Sequence, residues 1–439
     1  MKTEMKKIFI LVAVAMLALP AAAQEAFSAY TPYSLFGLGQ LESVGDQNTA
    51  AMGGIGIGLR DPNLINLLNP AAVTARDADA FMLDFGLKQS NMIFAGADAD
   101  GNLARSAKNL FNIDHIVASF PIYKHSAFRV GIMPFSNTGY AFTFHENQDI
   151  ILATLGDVQY FRTGQGGINQ VFAGAGVTLF DRLSLGADGI FYLGTIKRST
   201  STYFTTNSYQ RTASRSWTTV LRGLSAKAGI QYEQPIGETL SMTVGATYKL
   251  GSELKGEFSD LAYVTGGNYS DTTVNVKSKV AYDIPQEIAA GITLRKSGAW
   301  MLGFDYTRQD WAGSVFDATP GVNFSSGLAE SFNAGFEIIP NRYDVRYYLR
   351  TVTYRVGAYH KKQYIMIDGK PVTTTGVTLG FALPVYNRRT SVSFAVDLGQ
   401  SSLAGAPGIT TPGNIRERYV KFSLGVNLFD IWFQKVLYN

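Results

Sequence analysis

The sequence predicts an all-β chain: a transmembrane antiparallel β-barrel of about fourteen strands, with an N-terminal hatch plugging its lumen. Three observations lead there. Apolar and polar residues alternate with period two through most of the chain. The polar positions are mainly Gly, Ser and Thr, which suits a crowded wet lumen better than an open solvated surface. The connections between strands alternate short and long. A soluble β-sandwich would share the first property, but not the other two together.

Taken in order, residues 1–23 read as a secretory signal peptide. Lys2, Lys6 and Lys7 precede an apolar core at 8–19, and "PAAAQ" supplies small residues for cleavage after Ala23. Beyond it no apolar run reaches the roughly 18 residues of a membrane-spanning helix. The chain has no Cys, so disulfides and thiolate metal sites are excluded. Charged residues are only 16%, whereas Gly reaches 45, Phe 28 and Tyr 23. The formal charge of +4 includes +2 from the leader (three Lys less Glu4), which leaves a nearly balanced mature chain. Neither nucleic acid nor a polyanionic substrate is implied.

Residues 24–76 lack a strand pattern and form the expected hatch. The stretch "LINLLNPAAV" (64–73) is apolar but irregular, and follows glycines at 53, 54, 56 and 58. Irregular backbone cannot face lipid, because its polar groups would go unpaired. An apolar segment does not hang in water either, so it belongs inside the barrel. Asn63, Asn66 and Asn69 are suited to hydrogen-bond hatch backbone.

Residues 77–439 form the expected barrel. "LSMTVGATYKL" (240–250) places Leu240, Met242, Val244, Ala246, Tyr248 and Leu250 on one face. The expected strands are 79–89, 113–121, 126–144, 168–180, 182–197, 219–233, 239–258, 285–295, 298–311, 328–339, 349–361, 373–384, 390–399 and 418–433. Connections after even-numbered strands are tight, with 339–348 the longer one. Those after odd-numbered strands are mostly long, which would make the short side periplasmic. Trp300, Trp311, Phe429, Trp432 and Phe433 fall near strand ends, where an aromatic belt would sit. Residues 102–113 within the first long loop have the spacing of a short amphipathic helix.

Gly53, Gly54, Asp61 and then Asn69-Pro70-Ala71 resemble the N-terminal hatch of the long-chain fatty acid transporter (FadL) family, in its divergent kind that includes type IX secretion shuttle proteins. "YDIPQEIAAGITL" (282–294) resembles that family's later Pro-to-Gly strand. The resemblance implies a fourteen-stranded barrel with a hatch, passage of apolar molecules, and sideways release at the third strand. That strand holds "GIMPFSNTGYAF" (131–142), so Pro134 and Gly139 are the expected lateral gate, the other reading being a simple bulge or a strand end near the periplasmic side. Pro134 cannot donate a ladder hydrogen bond. Leu64, Ile65, Leu67, Leu68, Asn69 and Pro70 are the expected ligand-binding hatch residues, with Asn69 holding the hatch in place.

Catalytic sets are absent from the pattern. His115, His125, His145 and His360 are scattered without a zinc-binding spacing, and no Gly-x-Ser-x-Gly elbow or phosphate loop occurs. "DADGN" (98–102) is an incomplete calcium loop. The expectation is therefore a non-enzyme without metal or cofactor, in the outer membrane of a Gram-negative bacterium. It would pass small, fatty-acid-like hydrophobic molecules. Its partners would be outer-membrane lipid and either such a molecule or other outer-membrane proteins. The alternative is a non-transporting accessory subunit of a secretion or assembly complex, favoured by the long loops at 197–217, polar and basic, and at 259–279, mostly polar.

Overall fold

A computed structural model describes residues 29–76, 80–97, 103–146, 148–204, 212–266, 269–316, 323–386, 389–405 and 415–431. The expected leader, the calcium-like stretch 98–102, and Trp432 and Phe433 lie outside these residues.

Fourteen antiparallel strands close into a barrel. They are β1 (Ala80–Ala97), β2 (Leu103–Tyr123), β3 (Ser126–His145), β4 (Val158–Leu179), β5 (Leu183–Phe204) and β6 (Thr212–Pro235). Next come β7 (Leu240–Lys249 and Ser252–Gly266), β8 (Tyr269–Ile284 and Glu287–Lys296), β9 (Trp300–Asp310) and β10 (Phe324–Ser326 and Leu328–Ile338). The last four are β11 (Thr353–Ile367), β12 (Lys370–Tyr386), β13 (Thr390–Leu403) and β14 (Ile415–Ile431). β14 pairs with β1 from Ile415↔Gly96 to Ile431↔Ala80, so the sheet has no outer edge there. Closure removes the row of unpaired backbone groups that lipid would not tolerate.

The period-two pattern sets which face meets lipid. Val244, Tyr248, Ile288, Ile292, Leu302 and Phe304 are exposed on the outside, while Thr243, Thr247, Thr293 and Asp305 are buried inward. β9 has 11 residues and the first segment of β7 has 10, each long enough for one tilted crossing. β7, β8 and β10 break at Leu250–Gly251, Pro285–Gln286 and Gly327, then resume. Beyond the first two breaks the outer face turns charged, with Lys255–Glu253 and Lys277–Glu257 ion pairs at 2.9 and 3.3 Å. The long strands thus project past the apolar band. This corrects the sequence reading, which treated much of 90–112, 198–218 and 259–284 as loop. It also corrects the amphipathic helix, because residues 103–113 are strand β2. Among the described residues the α-helix on the long-loop side is α2 (Asp149–Leu155). Among the described residues no helix is long and apolar enough to cross a membrane.

Two aromatic expectations also change. Trp311 is fully buried, with its ring 4.7 Å from that of Tyr364, and belongs to the interior cluster. Phe429 packs inward against the same cluster, under Arg389. Inward packing of these rings outweighs an interfacial position because the hatch offers apolar surface inside the barrel.

The hatch fills the lumen. It comprises a 3-10 turn (Pro32–Leu35), a two-residue strand (Gln40–Leu41), α1 (Gln47–Ala50) and a second 3-10 turn (Pro70–Ala75). Inward glycines meet across neighbouring strands at one level: Gly186↔Gly229, Gly245↔Gly291, Gly303↔Gly335 and Gly335↔Gly357. There the hatch backbone touches the wall. A Cβ on Gly357 would lie 2.1 Å from the Gly53 nitrogen, and one on Gly245 2.1 Å from the Ile57 oxygen. Crowding by the hatch is the physical reason for the small lumen residues.

Candidate functional site: the hatch, a side seam and an apolar cavity

Buried backbone needs partners, and wall side chains supply them to the hatch. Asp305 accepts from the Gly56 and Ile57 nitrogens at 2.5 and 2.7 Å. Thr293 Oγ1 donates to the Gly58 oxygen at 2.7 Å, and Asn333 Nδ2 to the Gly53 oxygen at 2.6 Å. Ion pairs add to this: Asp61 with Arg295 at 3.0 Å and Arg60 with Glu233 at 3.3 Å. Buried Arg129 on β3 grips both Asp188 on β5 and the Asn66 carbonyl of the hatch.

The expected hatch residues share no single pocket. Leu64 packs with Met52, Ile55, Leu59 and Met301 near the short-turn end. Ile65 and Leu67 belong to the main interior cluster with Met133, Phe135 and Phe172. Leu68 lines a cavity of about 240 Å³ that also contains Lys361, Asp397 and Lys421. Asn69 is fully buried; its Nδ2 donates to the Ile57 oxygen at 2.8 Å and its Oδ1 accepts from the Ala71 nitrogen at 3.0 Å. It thereby caps the turn that begins at Pro70. Asn66 also serves hatch backbone, donating to the Gly56 and Leu59 oxygens. Asn63 reaches the Asp61 carboxylate instead.

Between β2 and β3 the wall is incomplete. β2 and β3 pair only from Tyr123↔Ser126 to Ile116↔Ile132. Above that, β3 stays paired with β4 up to His145↔Gln159, and β2 stays paired with β1 up to Leu103↔Ala97. The two upper halves therefore part and leave a seam. Pro134 lies two residues beyond the last β2–β3 pair, and the bulge between Pro134 and Ser136 bends β3 there. On the other lip, Asp114 is skipped in the β1–β2 register between Gly86↔His115 and Leu87↔Ile113, which bends β2 at the same height. Gly139 sits higher on the bared edge of β3.

That edge is occupied by the start of the hatch. Gln40 and Leu41 pair with Asn137 and Ser136. The Glu42 nitrogen donates to the Phe135 oxygen at 2.9 Å and the Thr31 nitrogen to the Gly139 oxygen at 2.8 Å. The Glu42 carboxylate accepts from Lys88 Nζ at 2.9 Å and Asn137 Nδ2 at 3.0 Å. Tyr30 spans the seam: its hydroxyl donates to the Ala141 oxygen, its ring lies 5.6 Å from Phe94, and Lys108 Nζ sits 5.1 Å from the ring. Sequence reasoning missed residues 30–42. The available signal was an aromatic, Gly-punctuated stretch, "YTPYSLFGLGQL", too irregular for a strand.

A cavity of about 310 Å³ lies behind this segment, toward the long-loop end. Leu35 and Leu38 of the hatch, Tyr140 of β3, and Ile196, Trp217, Leu221, Phe258, Tyr282 and Phe316 line it. Arg162, Arg198 and Arg215 stand at its polar side. Arg215 is committed to Asp260 at 2.9 and 2.6 Å, and Arg198 Nη2 donates to the Gly37 oxygen at 2.7 Å. The apolar lining thus comes from strand residues, from Phe316 in the β9–β10 connection and from residues 35–38, with none from 64–70. Among the described residues no group of three or more His, Asp or Glu is placed to hold a metal ion.

Comparison with known proteins agrees with this architecture. The family model described as BamG matches residues 5–439. No curated protein matches the chain. Among solved structures, the Pseudomonas putida toluene transporter TodX superposes with a TM-score of 0.58 at 12% identity, covering 91% of this chain and 100% of that one. A Pseudomonas aeruginosa FadL homologue gives 0.54 at 11% identity, with 89% and 99% covered. The Ralstonia pickettii toluene transporter TbuX gives 0.51 at 13% identity, with 88% and 98% covered. The fold is therefore that of the FadL-type channels.

Proposed function

Since the chain belongs to the BamG family and carries the FadL-type barrel, we propose that it is a passive channel for small hydrophobic molecules in the outer membrane of a Gram-negative bacterium. The solute enters at the long-loop, extracellular end, rests in the 310 Å³ cavity and leaves sideways into lipid beside Pro134 and Gly139. The observation that carries this reading is the place of residues 30–42, which line that apolar cavity through Leu35 and Leu38 and pair with the bared edge of β3 at the seam through Gln40 and Leu41. A volume of this size suits one small apolar molecule. The polar, filled lumen below argues against an open aqueous pore. Toluene transporters among the structural neighbours point to the same solute class.

In this reading Ile65, Asn69 and Pro70 hold the hatch rigid. Leu67 and Leu68 border smaller voids, and Leu64 faces the short-turn end. The test is native mass spectrometry of protein extracted gently from its own membrane, followed by transfer assays in vesicles. A co-released apolar mass of a few hundred daltons, extractable into organic solvent, supports the channel. A stable complex with large proteins and no small ligand supports the second reading.

That second reading is an accessory subunit of an outer-membrane assembly or secretion complex, and one observation favours it. The connection at 339–352 is long on a side where the other turns are tight. It is braced internally, with Asp344 accepting from the Arg346 and Tyr347 nitrogens at 2.8 Å each. Yet Tyr343, Val345 and Leu349 are 71, 93 and 70% exposed. An ordered loop that presents apolar side chains is a surface for protein contact.

A further inference from the structure

We propose that the short-turn side of the hatch carries an oxyanion-binding pocket, in which Arg342 and Lys296, backed by Arg295 and Arg355, hold one carboxylate or phosphate group that arrives from the periplasm. The inference is independent of the channel reading, because the pocket lies at the opposite end of the lumen from the 310 Å³ cavity.

Three short-side connections meet there. Gly298 belongs to the turn after β8, Arg342 to the connection 339–352 after β10, and Arg389 to the turn after β12. Asp61, Asn63 and Leu64 of the hatch form the roof. The space between them is about 80 Å³. That is room for a few waters or one small anionic group, and too little for a drug-sized apolar solute.

The charge inside is unbalanced. Arg389 stands at the rim, its guanidinium 4.7 Å from the centre of the Phe429 ring. Besides it, Arg295, Lys296, Arg342 and Arg355 line the pocket with two carboxylates, Asp61 and Glu337. Both carboxylates are taken. Asp61 pairs with Arg295 at 3.0 Å and Glu337 with Arg355 at 2.8 Å. Arg355 is buried and also donates to Asn48 Oδ1 at 2.7 Å. The neighbouring acids are engaged as well, Glu233 with Arg60 and Asp344 with its own loop. Arg342 and Lys296 make no hydrogen bond or ion pair among the described residues. Yet Arg342 is half-buried, lines the pocket and lies within electrostatic reach of Asp61.

Like charges gathered in a partly dry space repel one another. A bound oxyanion relieves that repulsion and takes up the idle donors. A guanidinium offers a planar fork of N–H groups that matches two oxygens of a carboxylate or phosphate. Arg295 and Arg355 are fixed on strands, whereas Arg342 rides on a loop. The anion therefore ties connection 339–352 to the wall and to the hatch.

The test uses the full protein in detergent, titrated with inorganic phosphate or with an end-blocked Gly-Asp-Gly peptide in a constant chloride background. Calorimetry reads binding, and amide hydrogen exchange of 339–352 is followed in parallel. Arg342→Gln removes the idle fork without breaking a described bond. Arg346→Gln, exposed on the same loop and outside the pocket, is the control. The expected result is saturable binding that slows exchange at 339–352. It should weaken at least about tenfold in Arg342→Gln, the loss of one charge-assisted contact, and stay unchanged in Arg346→Gln. The tighter probe then identifies the source, a free oxyanion or an acidic side chain of a periplasmic protein. No saturable binding of either probe overturns the site. Binding that Arg342→Gln leaves unchanged, or that both variants weaken alike, overturns it too.

Discussion

Gly139 on β3 lies against the backbone of Ala29, so closely that a Cβ at Gly139 would sit 1.5 Å from the Ala29 carbonyl oxygen. No side chain fits there. From sequence this glycine is one of the two expected gate residues; in the structure it also seats the hatch backbone at Ala29. Gly139→Val should therefore push residues 29–34 off the β3 edge. The expected outcome is new proteolytic cleavage within 29–42 while the barrel keeps its heat-resistant mobility in detergent gels. An unchanged cleavage pattern would refute the contact.

The hatch as a whole depends on the inward glycines. Gly245→Val places side-chain atoms where the Ile57 oxygen stands, 2.1 Å from the Cβ position. The ladder of β7 with β6 and β8 does not involve that side chain. Planar-bilayer recordings should show the variant conducting ions more readily than the wild type, because the plug no longer seats. Conductance equal to wild type, in folded protein, would mean that the hatch tolerates the intrusion.

Arg129 and Asp188 form a buried bidentate pair across β3 and β5, and Arg129 also holds the Asn66 carbonyl. Removing one partner strands a charge out of water. Asp188→Asn should lower barrel stability by about 3–5 kcal/mol. Replacing the pair together, Arg129→Met with Asp188→Leu, should lose less. Denaturant unfolding in detergent, followed by gel mobility, separates these cases. A double variant weaker than the single would contradict the assignment.

Thr219 is 4% exposed and lines the 310 Å³ cavity. Thr219→Trp fills much of that volume without touching the seam or the hatch anchors. Vesicle transfer of an apolar dye should fall by about tenfold or more, with thermal stability changed by no more than about 1–3 kcal/mol. Transfer at the wild-type rate would place the solute path elsewhere.

Asn69 joins two hatch segments through Ile57 and Ala71. Asn69→Ala removes a turn cap and leaves the Ile57 oxygen without this donor. Gln231 Nε2 still donates to that oxygen at 2.8 Å. The loss should therefore stay near about 1–2 kcal/mol, most of it the cap. Denaturant midpoints measure it; a larger loss would give Asn69 a further role.

The sequence by itself determined the barrel. Alternation in 240–250 and 298–311 assigns a lipid face and a lumen face without any long-range information, because side-chain direction in a strand is a local property. The lumen's small residues and the irregular 24–76 together also required a hatch, since unpaired backbone cannot face lipid. Strand ends past the apolar band were not legible. The upper parts of β2 and β6–β8 mix polar and apolar residues without a clean period of two, and their pairing rests on cross-strand hydrogen bonds that the pattern does not encode. Trp311 looked interfacial for the same reason: inward or outward aromatic packing depends on what the hatch presents. Only the tertiary structure decided the site. The seam exists because bulges at Phe135 and Asp114 bend β3 and β2 apart, and residues 30–42 happen to lie where the bared edge needs partners. Contacts such as Gly139 with Ala29 join positions more than a hundred residues apart, so no local pattern could announce them.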